Sequence, residues 1–172
     1  MNIVLHEPGI AQNTGNIGRS CAATGTALHL IRPYGFRINE KELKRAGMDY
    51  WERLCVREYV DYEEFLERNP GVRVWYCTTK ARQCYSDVHF ENDDFIMLGN
   101  ESRGIPEEIL VRHPEQCIRI PMEEDSRSLN LSNAAAIILY EALRQNGFPG
   151  LEKRGALHRL KWDPEEATEG ST

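Results

Sequence analysis

Short apolar runs, each bounded by proline or glycine, alternate along this chain with segments of helical character. That alternation restricts the fold more than any single motif. Ile3-Val4-Leu5 is closed by Pro8-Gly9, and Leu28–Ile31 by Pro33. Val72–Cys77 follows Asn69-Pro70-Gly71, Phe95–Leu98 stops at Gly99, and Gln116–Ile120 stops at Pro121. Leu54–Val60 is an ambiguous further strand. Helix candidates lie at Asn16–Thr24, Glu40–Ala46, Tyr62–Arg68, Pro106–Arg112 and Ser132–Gln145. Pro106-Glu107-Glu108 is good first-turn chemistry, and Gly47 and Gly147 are reasonable stops. Strands and helices in turn, with short connections, predict an α/β fold with a mostly parallel sheet flanked by helices.

The chain has 172 residues, which suits one domain. We expect residues 1–150 to form it. Residues 151–172 would be a C-terminal extension whose polar end, Asp163–Thr172, is disordered. The longest purely apolar run, Ala134–Tyr140, has seven residues, against about 20 for a membrane span. No basic flank or long apolar core marks the N-terminus for export, so a cytoplasmic protein is expected. The five cysteines (Cys21, Cys55, Cys77, Cys84, Cys117) form no C-x-x-C pair, which favours free thiols over disulfides or a zinc site. Net charge is −6, and −5 without residues 151–172, so a protein that coats nucleic acid non-specifically is disfavoured. A local basic patch that meets RNA is not.

Ala134–Tyr140 would be apolar around a full helix circumference. Such a helix is buried on more than one side. In a chain this small, one side is expected on the sheet and the other on a second subunit.

Three segments at strand ends are candidates for chemistry, because open α/β sheets bind ligands at the carboxyl ends of their strands. Asn13-Thr14-Gly15-Asn16-Ile17-Gly18-Arg19 enters a helix, with Asn13 or Thr14 as a possible cap. Its spacing is not that of a dinucleotide fingerprint. Leu98-Gly99-Asn100-Glu101-Ser102-Arg103-Gly104-Ile105-Pro106 offers, at Gly99, a backbone against which a flat ring can press. Ile118–Met122 leads through Ser126-Arg127-Ser128-Leu129-Asn130 into the last helix, with Ser132 or Asn133 as its cap. Each is also readable as ordinary loop or cap chemistry. His6, His29, His89, His113 and His158 are scattered, and no metal is expected. Neither a G-x-S-x-G elbow nor a triphosphate-binding loop is present.

In this order, the three segments resemble the motifs of the SPOUT methyltransferases, the α/β-knot class. Asn13–Arg19, Cys77-Thr78-Thr79-Lys80, Gly99–Pro106, Ile118–Met122 and Ser126–Ala134 resemble, more closely, the small YibK/TrmL-type tRNA 2′-O-methyltransferases. Arg45–Tyr50 and Tyr140-Glu141-Ala142 do so as well. The resemblance covers about residues 1–150. It implies a deep C-terminal trefoil knot, which periodicity does not foretell. It also implies an obligate homodimer and S-adenosylmethionine as methyl donor, with S-adenosylhomocysteine as product.

By matching positions, the cofactor would lie against Cys77, Gly99, Ile120, Ser128 and Leu129. The substrate would be the ribose 2′-OH of the wobble nucleotide (position 34, C or modified U) of tRNA, typically leucine isoacceptors. The dimer would hold the anticodon stem-loop through Lys80, Arg82, Arg103 and Arg127, with no role for DNA or membrane. Lys153, Arg154, His158, Arg159 and Lys161 would add contacts, unless they belong to a solvated terminal helix. Arg19 would be catalytic and Asn13 would orient it. The family's Arg is often described as a general base, but a guanidinium keeps its proton in proteins. Arg19 is therefore read as stabilising charge that develops on the 2′ oxygen. The alternatives are the same chemistry on another tRNA or rRNA site, a non-catalytic RNA-binding module, and a small-molecule methyltransferase.

Overall fold

The computed structural model describes residues 1–36, 51 and 53–162. Seven strands form one sheet: β1 (Asn2–His6), β2 (Ala27–Ile31), β3 (Val56–Tyr59), β4 (Val74–Cys77), β5 (Gln83–Cys84), β6 (Phe95–Leu98) and β7 (Cys117–Arg119). Their order is β3-β2-β1-β6-β4-β7-β5. Every strand pairing within it is parallel. Helices α1 (Ala11–Thr24), α2 (Tyr62–Arg68), α3 (Glu107–Leu110) and α4 (Leu131–Gln145) cover the two faces.

The central strands are buried on both faces, which is why they read as continuous apolar runs rather than alternating ones. Alternation decides which layer each side chain joins. Ile3, Leu5, Leu28, Leu30, Ile96 and Leu98 meet α1 and α4 on one face. Val4, Ile31, Tyr59, Tyr76 and Met97 meet α2 and α3 on the other. Helix α4 buries Ala135, Ile138, Leu139, Ala142 and Leu143 and packs beside α1. Fully burying one such Leu or Ile is worth roughly 1.5–3 kcal/mol. Across the remaining face of α4, Ile137 and Tyr140 stay 37% and 47% exposed. The expected two-sided burial of this helix is therefore only half satisfied within one chain.

Several expected boundaries move. Helix α1 starts at Ala11 rather than Asn16, so Gly15 and Gly18 are interior residues. Gly18 is matched to its surroundings: a Cβ there would lie 3.0 Å from Trp51 and 3.1 Å from Leu54. Neither Asn13 nor Thr14 caps α1; the N-cap is Ile10, which has no side-chain bond to give. Asn130, not Ser132 or Asn133, caps α4, its Oδ1 accepting from the Ser132 backbone N–H at 2.9 Å. The two-residue β5 is too short for any periodicity to announce. Residues 151–162 form no helix or strand. Glu40–Ala46, Arg45–Tyr50 and Asp163–Thr172 lie outside the described residues. The five cysteines are free thiols.

Candidate active site

The ends of β4, β6 and β7 and the start of α4 enclose a cavity of about 740 Å³, within the roughly 300–1,000 Å³ of small-molecule sites. Cys77, Gly99, Ile120, Ser128 and Leu129 all stand on its wall. Three turns that are far apart in sequence therefore meet in one hollow. Leu98, Ile105, Met122 and Ala134 add apolar surface, and Thr78, Thr79 and Asn100 add polar groups. The Cys77 thiol is pushed up to about 12 by burial. It is neutral at pH 7 and is a packing surface, not a nucleophile.

The loop after β6 is organised by Asn100. Its Nδ2 donates to the Glu7 carbonyl at 2.8 Å, and its Oδ1 accepts from the N–H groups of Ser102 and Arg103. The Gly104 N–H closes the turn onto the Asn100 carbonyl at 2.8 Å. A Cβ on Gly99 would sit 2.2 Å from the Gly104 carbonyl carbon and the Ile105 nitrogen. The absence of a side chain there is demanded by the returning chain itself, whatever ring a ligand brings to the cavity wall on which Gly99 stands.

Glu101 joins the motifs. Its carboxylate accepts from the Gly9 N–H at 2.8 Å, the Ile10 N–H at 3.2 Å and Asn13 Nδ2 at 3.0 Å. Asn13 Oδ1 in turn accepts from Asn130 Nδ2 at 3.0 Å. A carboxylate supplied by a distant loop thus replaces the missing local cap of α1, where negative charge is favoured. Asn13 spends both ends of its amide in this chain. Within its own chain it is tied to Glu101 and Asn130, not to Arg19. No local pattern revealed Glu101's task, because its partners lie some ninety residues away.

The basic residues divide. Lys80, Arg103 and Arg127 line the cavity. Lys80 pairs with Glu107 at 2.6 Å and Arg103 with Glu7 at 2.9 Å. The Glu107 carboxyl is held below its ordinary range by that ammonium. Exposed pairs of this kind are worth about 0–1 kcal/mol, so phosphates can replace the carboxylates. Arg82 is exposed but off the cavity wall. Arg19 is exposed on α1 and does not line the cavity of its own chain.

The sheet is parallel, and its carboxyl edge carries a cofactor-sized hollow walled by three motif loops. The chain belongs to the SpoU rRNA Methylase family, whose sequence profile matches residues 1–140. The tRNA (cytidine(34)-2′-O)-methyltransferase of Escherichia coli K12 is 51% identical over 151 residues, spanning 87% of this chain and 96% of that one. A solved structure described as "Structural insights into the 2-OH methylation of C/U34 on tRNA" superposes with a TM-score of 0.80. It is 43% identical and covers 85% of this chain and 95% of its own. An AdoMet-bound rRNA methyltransferase from Sinorhizobium meliloti is 27% identical, with a TM-score of 0.72, covering 83% of this chain and 55% of its own.

Proposed function

We propose that this protein transfers the methyl group of S-adenosylmethionine to the ribose 2′-OH of the wobble nucleotide, position 34, of tRNA, leucine isoacceptors being the expected substrates. The observation that carries this reading is the single cavity onto which Cys77, Gly99, Ile120, Ser128 and Leu129 converge. Its volume, apolar lining and neutral thiol fit a nucleoside-bearing cofactor. Those five residues hold and orient the methyl donor. When bound, S-adenosylmethionine supplies an already activated sulfonium methyl.

A ribose hydroxyl is a poor nucleophile at neutral pH, so the protein must align it and stabilise the charge that grows on oxygen. Arg19 takes that second task as a permanent cation. Its exposure, and its absence from its own chain's cavity, favour action on the cavity of a second copy. The exposed Ile137 and Tyr140 on α4, next to α1, support a homodimer through this face. Lys80, Arg103 and Arg127 at the rim serve the anticodon stem-loop, with Arg82 further out. The order β6-β4-β7, in which the chain crosses β4 before returning through α4, suits the knotted path of the family. In this reading residues 1–150 are one methyltransferase domain, residues 151–172 an extension, and the protein works in the cytoplasm, where tRNA is.

The test is transfer of labelled methyl from S-adenosylmethionine to total tRNA, followed by nucleoside identification. A 2′-O-methylated nucleoside from position 34 is expected. Label confined to rRNA, to a base, or to another tRNA position would overturn the assignment.

A further inference from the structure

The carboxyl end of the sheet holds a second hollow, on the opposite face of β1 from the candidate active site. It is a cleft of about 220 Å³ between the start of α2 and α3. His6 forms part of its wall, with Tyr62, Ile109 and Pro106 as apolar neighbours and Arg112 and Glu108 beside them. His6 is only 5% exposed, and its ring meets the edge of Tyr62 at 6.2 Å. The ring donates to its own backbone, and no other described residue hydrogen-bonds to it. Yet no fully enclosed side-chain nitrogen or oxygen among the described residues lacks a partner. The His6 ring therefore opens somewhere, and the cleft is the space it borders. Burying the remaining ring nitrogen without a partner is costly unless something fills that place.

Charge and size narrow what fills it. Glu7 is taken by Arg103, Arg32 by Glu58, and Asp61 by the Glu64 N–H it caps. Tyr62 is taken by the Tyr76 hydroxyl. Glu63, Glu108 and Arg112 remain, one cation against two carboxylates, which disfavours a phosphate. No set of three His, Cys, Asp or Glu among the described residues can hold a metal. The volume lies below the range of whole cofactors. A neutral imidazole has one donor and one acceptor, burial keeping His6 in that form; its own backbone takes the donor, which leaves the acceptor for the cleft. A guanidinium such as Arg112 stacks on flat rings. A small, flat, uncharged ring with hydrogen-bonding edges is the matching chemistry.

The cleft also adjoins the first cavity. Glu7 lines the cleft and Arg103 lines the cavity, and the two are bonded across the boundary at 2.9 Å. RNA loops are read by splaying bases into such pockets. We propose that the His6 cleft is a second subsite, which takes one unstacked nucleobase of the RNA methylated in the neighbouring cavity. This rests on the RNA-methyltransferase reading above. A base delivered by the bound RNA reaches the cleft at high effective concentration, whereas a free nucleoside must bind through the cleft's few contacts alone.

His6→Phe keeps the ring packing against Tyr62 and removes the nitrogens. With an anticodon stem-loop as substrate, KM should rise roughly tenfold, the worth of one hydrogen bond. The kcat and the affinity for S-adenosylhomocysteine should stay as in wild type. Stem-loops made abasic at one nucleotide at a time beside the methylated one identify the occupant. One of them should raise the wild-type KM by a similar factor and leave His6→Phe no worse. An unchanged KM in His6→Phe, or penalties that add fully at every abasic position, overturns the subsite. A readout that needs neither a variant nor turnover is the imidazole NMR signals of His6 in the wild-type protein. They should move on titration with the stem-loop, and with free adenosine, guanosine, cytidine or uridine only at far higher concentration. Signals that stay fixed at saturating stem-loop overturn the proposal, whatever the free nucleosides do. If the wild type methylates no RNA while the stem-loop still moves these signals, the functional reading fails and the base subsite stands.

Discussion

Gly99 and, in the role proposed for it, Arg19 differ in what holds each residue to its type. At Gly99 the constraint is space: an added methyl would press on backbone atoms 2.2 Å away. Gly99→Ala should cost roughly 1–3 kcal/mol or more through forced overpacking. The displaced loop is the wall of the cavity, so affinity for S-adenosylhomocysteine should fall with stability. Calorimetry and thermal melting check both. At Arg19 the constraint is charge. Losing one preorganised donor typically lowers rate about 100–1,000-fold. Arg19→Ala should therefore bind S-adenosylhomocysteine as wild type does and nearly cease to transfer methyl; a variant that keeps more than half its activity would remove Arg19 from the reaction. Gly99, Ile120, Ser128 and Leu129 lie in segments that strand ends already marked, but their assignment to one cofactor, and Cys77 altogether, came only through the resemblance. Asn13's tie to Glu101 was not legible, because a side chain that caps a distant helix leaves no local spacing to read.

Among the elements, strands read best where both faces are buried. Phe95–Leu98 and Tyr62–Arg68 fall where pattern and stop signals place them. Helix α1 does not, because glycines inside a helix look like its approach, and its true start at Ala11 carries no capping residue. Strand β2 hides a different feature. Its His29 is fully buried and linked to β1 and β3. Asn69 Nδ2 donates to the Tyr59 hydroxyl, which lies 2.8 Å from His29 Nδ1, and His29 Nε2 lies 3.2 Å from Asn2 Oδ1. Asn2 Oδ1 can only accept, so Nε2 carries the proton and Nδ1 accepts from Tyr59. Both nitrogens of the neutral ring are thereby satisfied, and an added proton has no acceptor. Burial, with Arg57 and Arg68 adding, lowers the His29 pKa to about 4. The unfolded chain takes up a proton near pH 6.5. The stabilisation is complete above about pH 6.5 and is lost as pH falls toward 4. Each tenfold change in proton affinity between the folded and unfolded chain is worth about 1.4 kcal/mol, so the loss is on the order of 3 kcal/mol. His6, also lowered by burial, adds with the same sign. Urea denaturation at pH 7.5 and 4.5 should show the loss. His29→Phe should flatten that slope while costing about 1–3 kcal/mol at pH 7.5, by leaving Asn2 and Tyr59 without partners.

For the whole molecule, the question is whether one chain suffices. The proposed pairing of one chain's hollow with another chain's Arg19 predicts complementation between two dead subunits. Arg19→Ala protein, unfolded and refolded with an equal amount of a variant blocked at Ser128, should recover roughly a quarter of wild-type activity, since half the dimers then hold one intact pair. No recovery from demonstrably mixed dimers would place Arg19 on its own chain's site. The extension beyond the family match makes a separate prediction. Lys153, Arg154, Arg159 and Lys161 are all exposed, whereas Leu151 packs on the core. Truncation after Glu152 should spare the fold and flatten the dependence of tRNA affinity on salt by about 0.7–0.9 per lost phosphate contact. An unchanged slope excludes the extension from the footprint. The Glu101 carboxylate has a consequence in time as well as space. It lies 88 residues from Asn13, and Asn130 lies 117 residues from the same side chain. A nascent polypeptide still leaving the ribosome cannot complete this junction before Asn130 has been made. Translation products interrupted before that point therefore lack the finished hollow.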